Sequence, residues 1–151
     1  MREIRRTVVH TLSTDRLVIT GKVIVSGKAS GVALVAHDPV SFLGMVNTET
    51  GVFDYPGHEL QGQSIKGRVL VYPFGKGSSG DTIRIWRMQK YGVAPAAILF
   101  NEAEPIHAQG AILINVPCLY GFPRDICAAI STGDHVEVDG QRVTVTRRAR
   151  L

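Results

Sequence analysis

The chain has 151 residues, 44% of them hydrophobic and 20% charged, with a formal net charge of +4 at pH 7. That length fits one domain, residues 1–151, which buries well over half of its unfolded surface on folding, and the composition excludes a disordered tail, a coiled coil and a collagen-like fibre. The basic excess gathers at the two ends, in Arg2, Arg5 and Arg6 and in Arg147, Arg148 and Arg150, where basic residues are usually solvated, and it lacks the aromatic interleaving or zinc-finger spacing of a nucleic-acid partner.

From the N-terminus, Met1-Arg2-Glu3-Ile4-Arg5 develops no apolar run, which argues against a signal peptide or membrane association and predicts a cytoplasmic protein. The β-branched clusters Thr7-Val8-Val9, Leu17-Val18-Ile19, Val23-Ile24-Val25 and Val32-Ala33-Leu34-Val35 predict short strands separated by turns. A further strand is expected from Phe42 to Val46, a loop over Asn47-Thr48-Glu49-Thr50-Gly51, and a break at Pro56-Gly57. Arg68-Val69-Leu70-Val71-Tyr72-Pro73 reads as a buried strand leading into Gly75-Lys76-Gly77-Ser78-Ser79-Gly80. Asp81 or Thr82 then caps a helix running to about Tyr91, with Gly92 as its stop.

Strands are predicted at Ala96 to Phe100 and at Ala111 to Ile114, a short helix from Pro123 to Ile130 with proline in its first turn, and a hairpin from Val136 to Val145 about Asp139-Gly140. Strands alternating with a helix predict a mixed, strand-rich α/β domain with some parallel pairing. Cys118 and Cys127 are too few for a disulfide framework and read as buried apolar residues.

The segment Gly75 to Gly80 carries the strongest chemical signal. Three glycines around two serines leave backbone N–H groups unshielded, and a helix starting just beyond adds a partial positive charge, so the segment suits a carboxylate, a phosphate or a developing oxyanion. A plain tight surface turn is the alternative. A nucleotide phosphate loop would need glycine where Leu70 stands and serine or threonine where Gly77 stands. Gly75, Gly77 and Gly80 match the spacing of a dinucleotide fingerprint but lack an acidic ribose partner, and a nucleophile elbow centred on Ser78 would need glycine at Lys76.

Taken in order, Asn47 to Gly51, His58-Glu59-Leu60, Gly62-Gln63-Ser64-Ile65, Gly67-Arg68-Val69-Leu70-Val71, Gly75-Lys76-Gly77-Ser78-Ser79, Gly92-Val93-Ala94-Pro95-Ala96-Ala97-Ile98 and Glu104-Pro105-Ile106 resemble the small subunit of the aconitase X family. The resemblance runs from Asn47 to Ile114. It implies a swivelling β/β/α domain, like the mobile last domain of aconitase, that closes over a large catalytic subunit in a heterodimer or higher assembly. It implies a hydro-lyase acting on a small hydroxy acid, mevalonate 5-phosphate in the first place and cis-3-hydroxy-L-proline as the alternative.

By the same resemblance Ser78 is the catalytic proton acceptor, with Lys76, Gly77 and Ser79 about the substrate. The iron–sulfur cluster or iron that acts as Lewis acid on the leaving hydroxyl is expected in the large subunit, with no metal or cofactor held by this chain alone. The chain departs from the family where Gly80-Asp81-Thr82 follows Ser79, so Asp81 either caps the helix or alters the electrostatics near the base. A non-catalytic swivelling binding or carrier module is the reading from another class, and it predicts an essential histidine where this loop offers serines.

Lys76 reads as a ligand for a carboxylate or phosphate or as a solvated lysine; Arg84 and Arg87 as a solvated face or a subunit contact; His58 as a site residue or one satisfied by local hydrogen bonds. His10, His37, His107 and His135 show no metal-ligand spacing, and Trp86 and Met88 read as core.

Overall fold

A computed structural model describes residues 15–76 and 79–148. The predicted strand Thr7-Val8-Val9 and His10 lie outside the described residues, as do Gly77 and Ser78.

Eight strands form one sheet: β1 (Arg16–Thr20), β2 (Lys22–Val25), β3 (Lys28–Val35), β4 (Val69–Tyr72), β5 (Ala97–Phe100), β6 (Cys118–Tyr120), β7 (His135–Asp139) and β8 (Arg142–Thr146), in the spatial order β1-β8-β7-β3-β4-β5-β6-β2. Strands β1 and β2 stand at opposite ends of that order yet are separated in sequence by Gly21 alone, so the sheet curls until its edges meet. A side chain at Gly21 would have to displace the Phe122 ring, since a Cβ there would stand 2.6 Å from Cε1 of Phe122.

Strand β3 joins two kinds of pairing. Its first part, Lys28 to Val32, is antiparallel to β7, and its last part, Ala33 to Val35, is parallel to β4. The antiparallel half alternates, as in the hairpin β7–β8, where Val136, Val138, Val143 and Val145 are buried between polar neighbours. In the parallel half β4 and β5 are buried throughout, which requires cover on both faces.

The face enclosed by the curl holds Ala33, Val35, Val69, Val71, Ala97 and Leu99 against Ile126, Cys127 and Ala129 of the short helix α3 (Ile126–Ala129). The opposite face holds Leu34, Leu70, Tyr72, Ile98 and Phe100 against α1 (Asp81–Lys90), α2 (Pro105–Ile114) and the connection 36–68. Both cysteines are free and buried, and desolvation pushes both thiols up to about 12.

Five expectations are corrected. Ala111 to Ile114 is the last turn of α2, because Glu104 accepts the His107 amide as N-cap, Pro105 opens the first turn and Asn115 ends the helix in the left-handed region (φ 53°). The helix exposes Ile112 and Leu113, so its apolar run has no helical stripe, and the strand that follows is Cys118–Tyr120 instead. Phe42 to Val46 is no strand; only Val46 makes a bridge, to Phe53, and Phe42 plugs the core from a turn.

The helix expected from Pro123 is shorter, starting after Asp125, whose carboxylate accepts the Cys127 amide at 3.0 Å. Helix α1 runs as expected, but neither Asp81 nor Thr82 caps it: Gly80 is the N-cap residue with no side-chain cap, and Thr82 donates instead to the Ile106 carbonyl at 3.0 Å. Met88 is core, whereas Trp86 is partly exposed with the Lys90 ammonium 5.1 Å above its ring.

Candidate functional site

Parallel strands run out at one edge, and ligands of α/β sheets gather outside such carboxyl ends. Beyond β3 lies His37, beyond β4 the glycine-rich segment, and beyond β5 Asn101, Glu102 and Glu104. Backbone bonds stitch these exits together: the Ala36 amide donates to the Val71 carbonyl at 2.8 Å, and the Asn101 and Glu102 amides both donate to the Pro73 carbonyl, at 3.0 and 3.1 Å. Gly75 pairs with Val40 in a parallel bridge, and the Lys76 amide donates to the Val40 carbonyl at 2.8 Å.

Of the expected site residues, Lys76 and Ser79 are both exposed at this edge, flanking Gly77 and Ser78. The segment delivers the chain into the N-terminus of α1, whose Arg84 turns back to donate to the Gly80 carbonyl at 3.1 Å. Arg87 lies 3.6 Å from Glu49 in an exposed pair. His58 accepts the Leu60 amide through Nδ1 at 3.0 Å and stacks on Phe53 with ring centroids 5.1 Å apart. Its Nε2 is buried without a hydrogen-bond partner among the described residues.

Asp81 neither caps α1 nor faces solvent. Fully buried, it accepts the Phe42 amide on Oδ2 and the Leu43 amide on Oδ1, each at 3.0 Å, and it meets His107 Nε2 at 2.7 Å. The other ring nitrogen of His107 lies 2.8 Å from the Tyr72 hydroxyl. Burial alone would push the Asp81 carboxyl up, but the hydrogen bonds from His107, Phe42 and Leu43 outweigh it and hold the group below its ordinary value. Burial pushes the Tyr72 phenol up. Asp81 is therefore an ionised acceptor, which places a proton on His107 Nε2, and Nδ1 faces a Tyr72 hydroxyl that keeps its own proton.

A second carboxylate–imidazole pair stands open to solvent at the same edge. Glu59 accepts His37 Nδ1 at 2.7 Å and the His37 amide at 3.0 Å. The hydrogen bond to Glu59 raises the His37 pKa; burial would raise that of Glu59, but the bonds from His37 outweigh it. Sequence reasoning missed both pairings. Glu104-Pro105 does place His107 in the first turn of a helix, but nothing in the spacing links positions 72, 81 and 107.

Among the described residues no group of three or more His, Cys, Asp or Glu side chains could hold a metal ion, and no helix is long and apolar enough to cross a membrane.

The model of the aconitase X swivel domain matches residues 18–147. The chain is 44% identical to the phosphomevalonate dehydratase small subunit of Methanocella arvoryzae over 122 residues, covering 81% of this chain and 92% of the relative. It is 41% identical to the subunit of the same name from Methanosarcina acetivorans, covering 81% and 85%. The crystal structure of Thermococcus kodakaraensis aconitase X in its holo form superimposes with a TM-score of 0.80 at 39% identity, over 85% of this chain and 98% of that one. With the curled mixed sheet and the glycine-rich segment at its carboxyl edge, these matches place the chain in the aconitase X swivel-domain family.

Proposed function

We propose that this chain is the small subunit of a phosphomevalonate dehydratase, a hydro-lyase completed by a large subunit, and that Ser78 is its proton acceptor. The name shared by the relatives supports the reaction. The observation that carries the site is the position of residues 75, 76 and 79–81, which link the end of β4 at the carboxyl edge of the parallel strands to the N-terminus of a ten-residue helix.

Dehydration of mevalonate 5-phosphate takes a proton from the carbon between the carboxylate and the hydroxyl-bearing carbon, forms the double bond between those two carbons and releases the hydroxyl, which takes up a second proton to leave as water, balanced by the proton the serine later returns to solvent. Ser78, as its alkoxide, receives that proton. A free serine is too weak a base, so its charge must be stabilised by nearby donors in a site closed to water. The amides of Gly77 and Ser79 and the Lys76 ammonium are the groups assigned to that charge and to the substrate's anionic ends. The iron or iron–sulfur centre belongs to the large subunit in this reading, and it would supply Lewis acidity toward the departing hydroxyl. Leu43 and Phe74, exposed beside the segment, would be covered when the domain closes.

The test is dehydration of mevalonate 5-phosphate and of cis-3-hydroxy-L-proline by the chain co-expressed with its large subunit. Turnover of the phosphate ester is expected, with a loss of about 10²- to 10⁴-fold in kcat for Ser78→Ala in an intact complex. Turnover of the proline derivative alone would reassign the substrate, and full activity in Ser78→Ala would remove the serine from the reaction.

A further inference from the structure

The two described ends of the glycine-rich segment meet at one imidazole. At the first end, Gly75 lies so close to His107 that a Cβ on it would stand 2.7 Å from Nδ1 and 2.8 Å from Cε1. At the far end, Asp81 meets Nε2 at 2.7 Å. Tyr72, the last residue of the strand that delivers the segment, closes on Nδ1 at 2.8 Å. Strand β4 and helix α1 are thus joined beneath the segment through one fully buried ring, and the Phe42 and Leu43 amides on Asp81 tie in the connection after β3.

Filling space does not require this chemistry. The enclosed face of the same sheet is packed with aliphatic residues around Ile126 and Ile130. A buried polar chain carries a desolvation cost that satisfied hydrogen bonds only offset, and what it adds over an apolar core is one defined geometry. Here the hydrogen bonds of the chain join β4, α1 and the connection after β3, which lead into, out of and alongside the segment.

We propose that Tyr72, His107 and Asp81 are positioning residues for the dehydration: together they set the distance between the ends of the segment, and so the frame from which Ser78 acts. The inference rests on Ser78 as proton acceptor.

The experiment uses the complex with the large subunit, assayed on mevalonate 5-phosphate well below the melting temperature of each variant. Tyr72→Phe, which removes one oxygen, and His107→Leu are expected to lower kcat about 10- to 100-fold while KM stays within about threefold. His107→Gln, whose amide still donates to Asp81, should recover part of that loss. Amide hydrogen exchange over residues 75–82 in the same complexes reads the bracing without reference to Ser78, and it should quicken about tenfold in Tyr72→Phe and His107→Leu.

Unchanged exchange together with unchanged kcat would overturn the proposal. Fast exchange with unchanged kcat, against an inactive Ser78→Ala, would overturn the positioning role while leaving the serine in place. Full activity in Ser78→Ala would instead remove the reading beneath it, with the exchange result still standing. If His107→Leu does not fold, Tyr72→Phe carries the test.

Discussion

Two buried aspartates, one serving each half of the sheet, use the same chemistry to different ends. Asp134 lies at the start of the antiparallel hairpin and accepts the Ser131 and Arg148 amides at 2.8 and 2.9 Å, with the Arg147 guanidinium 3.2 Å from Oδ2. Its cation is partly exposed, and the effect is to tie the end of the chain to the loop before β7. Arg147 is thereby no merely solvated tail residue. Asp81 also accepts two loop amides, but its third partner is an imidazole sealed beneath the glycine-rich segment. The same motif, a carboxylate gathering loop amides, fastens the residues after β8 in one place and ties α1 to His107 and the connection after β3 in another.

Removing each carboxylate should separate the two roles. Asp81→Ala strands two amides and a ring N–H in the dry interior, and a loss of roughly 3–5 kcal/mol in urea unfolding is expected. Asp134→Ala should cost roughly 1–3 kcal/mol, because water reaches Arg147, and should leave the kcat of the complex unchanged. Equal losses, or a fall in kcat in Asp134→Ala, would break the comparison. Gly75→Ala should cost roughly 1–3 kcal/mol by pushing the His107 ring aside, and unlike Asp134→Ala it should lower kcat.

Acid sharpens the contrast further. Because the Asp81 carboxyl is held below its ordinary value, its contribution is fully present above the unfolded pKa of about 4 and is lost as pH falls through the lower folded value. The stability gap between wild type and Asp81→Asn should therefore narrow as pH falls from about 5 toward 2, which denaturation across that range would read. The smallest effect belongs to the exposed Arg87–Glu49 pair: Glu49→Gln should change stability by less than about 0.5 kcal/mol.

Much of the architecture was legible beforehand. Period-two alternation and Asp139-Gly140 announce the hairpin, and a four-residue apolar run ending in Pro73 announces a strand buried on both faces. Helix α2 was misread at its end because Ala111 to Ile114 is apolar all round, and a run that short has no period to distinguish helix from strand. That Gly75 to Gly80 joins a buried strand to a helix was legible from the apolar run before it and the glycines within it. The chain beneath it was not, since Tyr72, His107 and Asp81 lie on three elements and meet only through packing. Asp81 looked like a helix cap because aspartate at a helix start usually is one. Here Phe42 and Leu43 lie close enough to claim its oxygens.

The divided pairing of β3 also orders events during synthesis. Its parallel partner β4, with β5 and β6 beyond it, exists once residue 120 has been made, whereas the partner of its first part, β7, and the partner of β1, β8, come from residues 135–146. A nascent chain thus has the material for the half that bears the glycine-rich segment while two early stretches of strand still lack the residues that will pair with them. Open strand edges of that kind favour association with other chains. A chain stopped near residue 130 would carry most of the half that bears the glycine-rich segment together with the edges most apt to aggregate, and the last hairpin closes both at once.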